Sequence, residues 1–321
     1  MCDSFFRIIL RKGINDKMKA WLVVNGFLQT EKFHEIHQWL CRAGQKHHID
    51  ITMKTNQELL VDCGQQKAGI FKEKERVDFV LFWDKDIRLA RMLEAMGYFV
   101  VNSAQGIENC DDKGLTHEIL SVQKITMPRT ILAPMTYSNI GYTNLEFLDD
   151  VIRELGLPLV IKENFGSFGA QVYLCNTIEE VHKKTKELEG RAILYQEFIE
   201  EAKGRDVRLQ VVGDKVVAAM ERTAKQGDFR ANITNGGKMS PYHPTKAEEK
   251  LAVDARRCLS VDFAGVDLLF TEGGTPLVCE VNSNAHFKNI YDCTGVNVAD
   301  IIMEYITRKI SEKKENCNYG M

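Results

Sequence analysis

AGVDLLFTEGGTPLVCEVNSN, residues 264–284, contains two apolar runs, GVDLLFT and PLVCEVN, joined through the glycine pair Gly273 and Gly274. The pattern predicts two neighbouring strands connected by a tight turn. Glu280 and Asn282 stand two apart, so their side chains share a face, and Asp267 lies on the strand across the turn. Two carboxylates and an amide oxygen converging there make a hard, all-oxygen site suited to one or two Mg²⁺ ions. A solvated hairpin with ordinary surface acids is the competing reading. The apolar neighbours oppose it, because a charge set in a buried strand requires a partner.

Outward from this hairpin, the runs AILYQEFI, DVRLQVVG and KVVAAMERT predict strands, and Thr245 with Glu248 forms a capping box before a helix over 247–259. An amphipathic helix over 298–310 closes this region, and SEKKENCNYGM reads as a frayed tail. Earlier in the chain, PRTILA reads as an extended edge, 146–155 as a helix stopped by Gly156, and LPLVIKE and QVYLC as strands around the turn NFGSFGA. Thr177 with Glu180 marks the start of another helix. AWLVVNG and DFVLFW read as buried strands. Ile87, Leu89, Ala90, Leu93 and Met96 supply a helix face that Gly97 ends, and YFVVN follows. Strand, helix, strand at this spacing predicts a parallel unit. The expected fold class is therefore α/β followed by α+β.

The 321 residues suffice for two or three domains, and 42 Lys plus Arg against 45 Asp plus Glu leave a formal charge of -3. Such a balance gives no global positive field for nucleic acid or an anionic membrane. No apolar run reaches the length of a membrane span. The start, MCDSFFRIILRKGINDK, places charges too close to its short apolar stretch for a secretory signal, so the expectation is a cytoplasmic chain. Nine cysteines without a CxxC pair read as small buried hydrophobes rather than as a disulfide framework or zinc site.

Cations are spread in the way a nucleoside triphosphate needs. Lys162 ends LPLVIK before a glycine-bearing turn, and Lys113 follows Asp111 and Asp112. Neither a GxxxxGK[ST] loop nor a GxGxxG fingerprint is present, so Lys162 requires a different nucleotide fold around it. In YQEFIEEAKGRDVRLQVVG, backbone groups of Gln196, Glu197, Phe198 and Ile199 form a possible hinge for an adenine edge, and Asp206 and Arg208 alternate onto one strand face. Arg222, Arg230, Asn232 and Lys238 gather nearby, the last three within GDFRANITNGGK, a glycine- and amide-rich segment unsuited to core strand or helix. The competing reading of these cations is a solvated set of loop and strand ends.

Taken together, DDKGLT (111–116), LVIKENFGSFG (159–169), YQEFIE (195–200), GRDVRLQVVGDKVVAAMERT (204–223), GDFRANITNGG (227–237), AGVDLLF (264–270) and CEVNSN (279–284) occur in the order of a known family. The chain resembles the RimK-like carboxylate-amine ligases of the ATP-grasp superfamily over roughly 80–305. The resemblance implies an ATP-grasp fold with an N-terminal Rossmann-like pre-ATP-grasp domain. The divisions it suggests are an extension at 1–17, a pre-ATP-grasp domain at 18–115, a small lobe at 116–190, a large lobe at 191–310 and a flexible tail at 311–321. It implies ATP and Mg²⁺, with Mn²⁺ as an alternative, and a carboxylate activated as an acyl phosphate before an amine attacks it. Lys113, Lys162, Gln196–Ile199 and Asp206 become nucleotide-binding. Asp267, Glu280 and Asn282 become metal ligands; Arg222, Arg230 and Asn232 form the catalytic set, Arg222 and Asn232 at the phosphate or acyl-phosphate groups and Arg230 towards the substrate. Arg208 falls on the substrate side. Implied partners are a small carboxylate and amine or a peptide acceptor. Neither nucleic acid nor membrane is expected, and homo-oligomerisation is left open. A non-amine acceptor, a free dipeptide product and a silent nucleotide-binding module are the alternatives.

One segment departs from relatives that add glutamate. Where they continue with a small Pro/Gly-containing stretch, this chain reads NAHFKNIYDCTG, which places Asn284 and His286 at the acceptor end. Lys85, in WDKD, is a further candidate for attracting a substrate carboxylate, because loops at the carboxyl ends of parallel strands form sites. A surface salt bridge is the alternative for Lys85, and loop packing is the alternative for His286.

Overall fold

The computed structural model describes residues 17–64, 68–71, 73, 75–166, 169–225, 228–231 and 236–318. β1 (Met18–Val24) leads through α1 (Glu31–Lys46) into β2 (Ile49–Thr55). The short hairpin of β3 (Val61–Cys63) and β4 (Ala68–Ile70) precedes β5 (Phe79–Trp83), α2 (Ile87–Ala95) and β6 (Val100–Val101). The strands form a parallel sheet in the order β2-β1-β5-β6. Layers on both faces explain why β1 and β5 read as continuous apolar runs rather than alternating ones. α1 covers one face with Ile36, Leu40 and Ala43, spaced for a single helical stripe. α2 starts on Asp86, whose side chain accepts from the Leu89 amide at 3.1 Å.

α3 (Ala104–Asp111) and α4 (Lys113–Val122) lead to a second, antiparallel sheet. β7 (Thr130–Leu132), α5 (Phe147–Leu155), β8 (Leu159–Glu163), β9 (Val172–Cys175), α6 (Ile178–Glu187) and β10 (Ile193–Glu197) build it, in the strand order β7-β10-β8-β9. A third sheet, also antiparallel, takes β11 (Arg205–Val212), β12 (Lys215–Thr223), β13 (Lys238–Pro241), β14 (Phe263–Phe270) and β15 (Pro276–Asn282) in the order β13-β12-β11-β14-β15. α7 (Lys246–Cys258) packs on it, opened by the expected Thr245/Glu248 capping box. α8 (Lys288–Thr294) and α9 (Val298–Asn318) complete the described chain.

Three expected boundaries move. The break at 115/116 falls inside α4, whose N-cap Asp112 accepts from the Leu115 amide. β10 lies beyond the expected lobe start at 191, yet it pairs with both β7 and β8 and so belongs to the second sheet. Strand-rich sequence on both sides of the crossing hid that division. The helix expected to end at Ile310 continues to Asn318, because SEKKENCN is rich in good helix formers. Residues 1–16 of the expected extension and 319–321 of the tail lie outside the described residues.

The first and third sheets share one core. Leu22, Ile36, Leu40 and Leu81 pack in the same cluster as Phe263, Phe287, Ile302 and Ile306. The second sheet has its own core around Leu148, Leu159, Ile161 and Tyr195. Asn102, fully buried just after β6, fastens the shared core. Its Nδ2 donates to the carbonyls of Phe263 at 3.0 Å and Ser283 at 2.9 Å. Its Oδ1 accepts from the amides of Asp262 at 2.7 Å and Phe263 at 3.2 Å. Asn102→Ala strips all four partners at once. At about 1–3 kcal/mol per buried unsatisfied group, partly relieved by water, urea unfolding should show a loss of about 3 kcal/mol or more.

Candidate active site

The third sheet brings its charges together by register. Asp206 on β11 stands opposite Arg222 on β12, Arg208 on β11 stands opposite Asp267 on β14, and Asp267 stands opposite Glu280 on β15. Asp206 and Arg208 are two apart, so all five residues fall on one face. Arg222 donates Nε and Nη2 to Asp206 at 2.6 and 2.7 Å, and Arg208 donates Nε and Nη2 to Asp267 at 2.7 Å each. A further bond, Arg222 Nη2 to Asp267 at 2.9 Å, joins the two pairs. Burial works to raise the Asp267 carboxyl, but the two guanidiniums outweigh it and hold it at about 2. Asp206 has the weaker share of cations. Burial, with the adjacent Asp267 charge, outweighs Arg222 and pushes Asp206 up to about 6.

Across the cleft, β8 carries Lys162, buried, with Nζ 3.6 Å from the Cys279 sulfur on β15. Lys113 opens α4. Its amide donates to the Asn164 carbonyl at 3.1 Å and its Nζ reaches the Gly166 carbonyl at 3.3 Å. This close approach requires Gly114, because a Cβ there would lie 2.4 Å from Asn164 Nδ2. Asn164 in turn donates to the Asp112 carboxylate at 2.8 Å. The Lys113 ammonium sits 3.9 Å from Glu280, so the glycine-bearing turn, α4 and β15 meet around one space. Burial lowers Lys113 from its ordinary value; Lys85 and Lys162 add to that and Glu280 opposes it.

Between the second and third sheets, Glu197 ends β10 and its carboxylate accepts from the Arg129 amide at 2.6 Å. Phe198 and Ile199 follow it, ahead of a short turn of 3₁₀ helix at Glu200–Ala202. Phe198 meets Phe229 edge-on at 6.2 Å. Gln196 offers nothing of its side chain here. It is buried, with Nε2 donating to Thr130 Oγ1 at 2.8 Å and to His117 Nε2 at 3.2 Å, and its main chain sits in register with both β7 and β8. The sequence reading is corrected accordingly, since a central strand spends its main-chain groups on both neighbours. Arg230 stands apart from Arg222. Its Nη1 donates to the Gly169 carbonyl at 2.8 Å and its Nε to Asp228 at 3.1 Å, tying this segment to the glycine-bearing turn. Asn232 lies outside the described residues.

At the far end of the face, Asn284 Nδ2 donates to the Asp84 carbonyl at 2.9 Å, and His286 Nε2 meets the Lys32 carbonyl at 3.1 Å. Burial, then Lys32, holds His286 at about 4, so it is neutral at pH 7. Lys85 is paired with Asp111, the kind of partner that the salt-bridge alternative expects. Asp267, Glu280 and Asn282 present two carboxylates and an amide at adjacent register positions. That donor set fits Mg²⁺ in chemical type, although Asp267 now gives both oxygens to arginines. No group of three or more His, Cys, Asp or Glu fit to hold a metal occurs among the described residues.

A family model described as the RimK-like ATP-grasp domain matches residues 110–306, the span that carries both antiparallel sheets and the lysine and carboxylate positions. The chain belongs to the RimK-like ATP-grasp family. It is 33% identical over 261 residues to an uncharacterised protein, MG012, of Mycoplasma genitalium, covering 80% of this chain and 89% of that one. It is 36% identical over 235 residues to a probable alpha-L-glutamate ligase of Psychromonas ingrahamii, covering 72% and 74%. Among solved structures, the ATP-grasp ligase PsnB complexed with minimal precursor superposes with a TM-score of 0.67 at 18% identity, covering 91% of this chain and 99% of that one, a likeness of fold. This ATP-grasp ligase is an enzyme of the carboxylate-amine class, with a parallel N-terminal sheet ahead of the grasping pair. No helix among the described residues is long and apolar enough to cross a membrane.

One buried partner of these residues escaped the sequence reading. His117 supports Gln196 from behind. Burial, then Lys162 and Lys113, holds it at about 3, so it is neutral. Arg222→Met leaves two buried carboxylates with one guanidinium between them. Urea unfolding should register a loss of about 3–5 kcal/mol, the range for breaking a buried pair.

The acid limb follows from Asp267. Its depressed value gives stability that is complete above the unfolded value of about 3.9 and lost as pH falls towards about 2. Arg208→Met removes one of the two cations holding it low, so the acid-linked fall in thermal midpoint below about pH 3.9 should be smaller than in the unmodified protein. Superimposable pH profiles would contradict that assignment.

Proposed function

We propose that this ligase activates a substrate carboxylate as an acyl phosphate with ATP and joins it to an amine, releasing ADP and phosphate. The observation that carries the reading is the meeting of Lys113 and Lys162, from the second sheet's side of the cleft, with Glu280 and Cys279 of β15. Cations from one wall and oxygen ligands from the other leave a space of the chemistry that a triphosphate and its metal require. Asp267, Glu280 and Asn282 would hold Mg²⁺. When bound, it supplies charge neutralisation at the phosphate oxygens.

Within this proposal Lys113 and Lys162 bind phosphate, and the main chain at Glu197–Ile199, which follows the second sheet, receives the adenine edge. Arg222, shared between Asp206 and Asp267, is held rigidly at the transferring group. Arg230 and Asn232 act from the segment that meets the glycine-bearing turn, where closure limits hydrolysis of the acyl phosphate by water. The first sheet through α3 forms the pre-ATP-grasp layer, the second sheet the small lobe and the third the large lobe. No enzyme nucleophile enters the scheme, so the cysteines keep a packing role.

The substrate reading draws on the relatives. Proteins named as probable alpha-L-glutamate ligases favour an amino acid as the amine, and a neighbour named in complex with a precursor favours a peptide as the other partner. The test is Mg²⁺-dependent ADP release with pooled carboxylates, short peptides included, and pooled amines, with products identified by mass. A product equal to the sum of its partners less water is expected. Lys162→Ala and Glu280→Gln should each lower the rate by about a hundredfold or more, the scale of losing one charge-stabilising group. Either folded variant turning over at the unmodified rate removes that residue from the catalytic set.

A further inference from the structure

Lys162 differs from the other cations of this cleft. Lys85 is paired with Asp111, Lys113 lies 3.9 Å from Glu280, Arg208 and Arg222 share Asp267, and Arg230 is bonded to Asp228. Lys162 is buried, yet among the described residues its ammonium has no carboxylate partner, and its bond is to a sulfur, Cys279 Sγ, at 3.6 Å. A buried charge requires a partner, and here the partner is a thiol.

A break in the strand register aims that sulfur. Asp267 is paired with Glu280 and the next residue, Leu268, with Val278, so Cys279 is the extra residue of a β-bulge. Neighbouring residues of a regular strand point to opposite faces, and a bulge cancels that alternation locally. Cys279 and Glu280 accordingly both reach lysines of the opposite wall, Cys279 at Lys162 and Glu280 at Lys113. Next to the bulge, the Val278 amide donates to the Thr126 carbonyl at 2.9 Å and is held from outside the sheet. The Cys279 side chain is half-buried rather than sealed in a core.

A thiol is a weak acceptor without charge at neutral pH. It takes one of the three ammonium N–H groups and leaves the charge and the other two donors for an anion. A carboxylate in its place would neutralise the lysine, and an aliphatic side chain would leave the flexible four-carbon stem untethered. Resting on the ligase reading above, we infer that Cys279 is a positioning residue whose sulfur holds the Lys162 ammonium, still carrying its full charge, in the orientation that meets the phosphates of ATP. Cys279 thus does more than pack, although it touches no reacting atom. Ordering Lys162 before the nucleotide arrives removes part of the entropy loss on binding.

The test is ATP binding in the presence of Mg²⁺, followed by titration calorimetry, which needs no ligation partner. Cys279→Val keeps the bulk without the acceptor and should raise the Kd about three- to tenfold, the scale of ordering one rotamer-rich side chain. Cys279→Ser restores an acceptor and should recover most of that loss. In a Lys162→Ala background, Cys279→Val should change the Kd by less than about twofold, because the lysine it acts through is gone. Thermal midpoints identify a variant that does not fold, and Cys279→Ala then replaces Cys279→Val. Unchanged or tighter binding by Cys279→Val overturns the inference. An equal loss with and without Lys162 also overturns it, since the side chain would then meet the nucleotide directly. Both outcomes leave ADP release by the unmodified ligase standing. Absence of ATP binding by the unmodified protein brings down the ligase reading, and this inference with it.

Discussion

Four charges on one sheet face, Asp206, Arg222, Asp267 and Arg208, cannot be buried unless they neutralise one another. That constraint organises the third sheet. Each pair sits at matched positions of adjacent strands, so a slip of one residue would turn a carboxylate or guanidinium into the apolar layer beneath. The network therefore pins the register of β12, β11 and β14 together. The same register delivers Glu280 and Asn282 to the edge where the lysines arrive.

The two walls of the cleft are prepared differently. On the third sheet, charge is held by strand pairing and reciprocal bonds. On the side of the second sheet, Lys113 depends on the Asn164 side chain, which packs where Gly114 has no Cβ and bonds to Asp112. A rigid charged platform faces a lysine whose position is set by a loop. This division suits a reaction in which phosphoryl transfer needs a fixed electrostatic frame while nucleotide entry needs a separable wall.

Legibility in the sequence followed the range of the interaction. The β14–β15 hairpin could be read because its apolar runs, glycine turn and paired acids lie within 21 residues, and the Thr245/Glu248 cap because it is local. β5, α2 and β6 were marked by an apolar run, a helical stripe and a stopping glycine. α1 and β2 were missed: IDITMKT carries polar residues along a sheet edge, and HQWLCRAGQK hides a narrow stripe among polar residues. The backbone of Gln196 was misjudged as a free hinge because only tertiary pairing reveals that β10 runs between β7 and β8 up to this residue. The bonds from Asn284 to Asp84 and from His286 to Lys32 had no signal at all, since their partners lie 200 or more positions apart.

The core shared by the first and third sheets is stapled through Asn102. Two of the three layers share one core, whereas the second sheet carries a separate core and the chain crosses to and from it near α4 and the end of β10. The seam between those two cores, rather than the one between the first and third sheets, is where the layers have the fewest shared buried residues. The bonds that tie Asn284 to Asp84 and His286 to Lys32 run between the first layer and the end of the third sheet, so they lie wholly within the piece that shares this core.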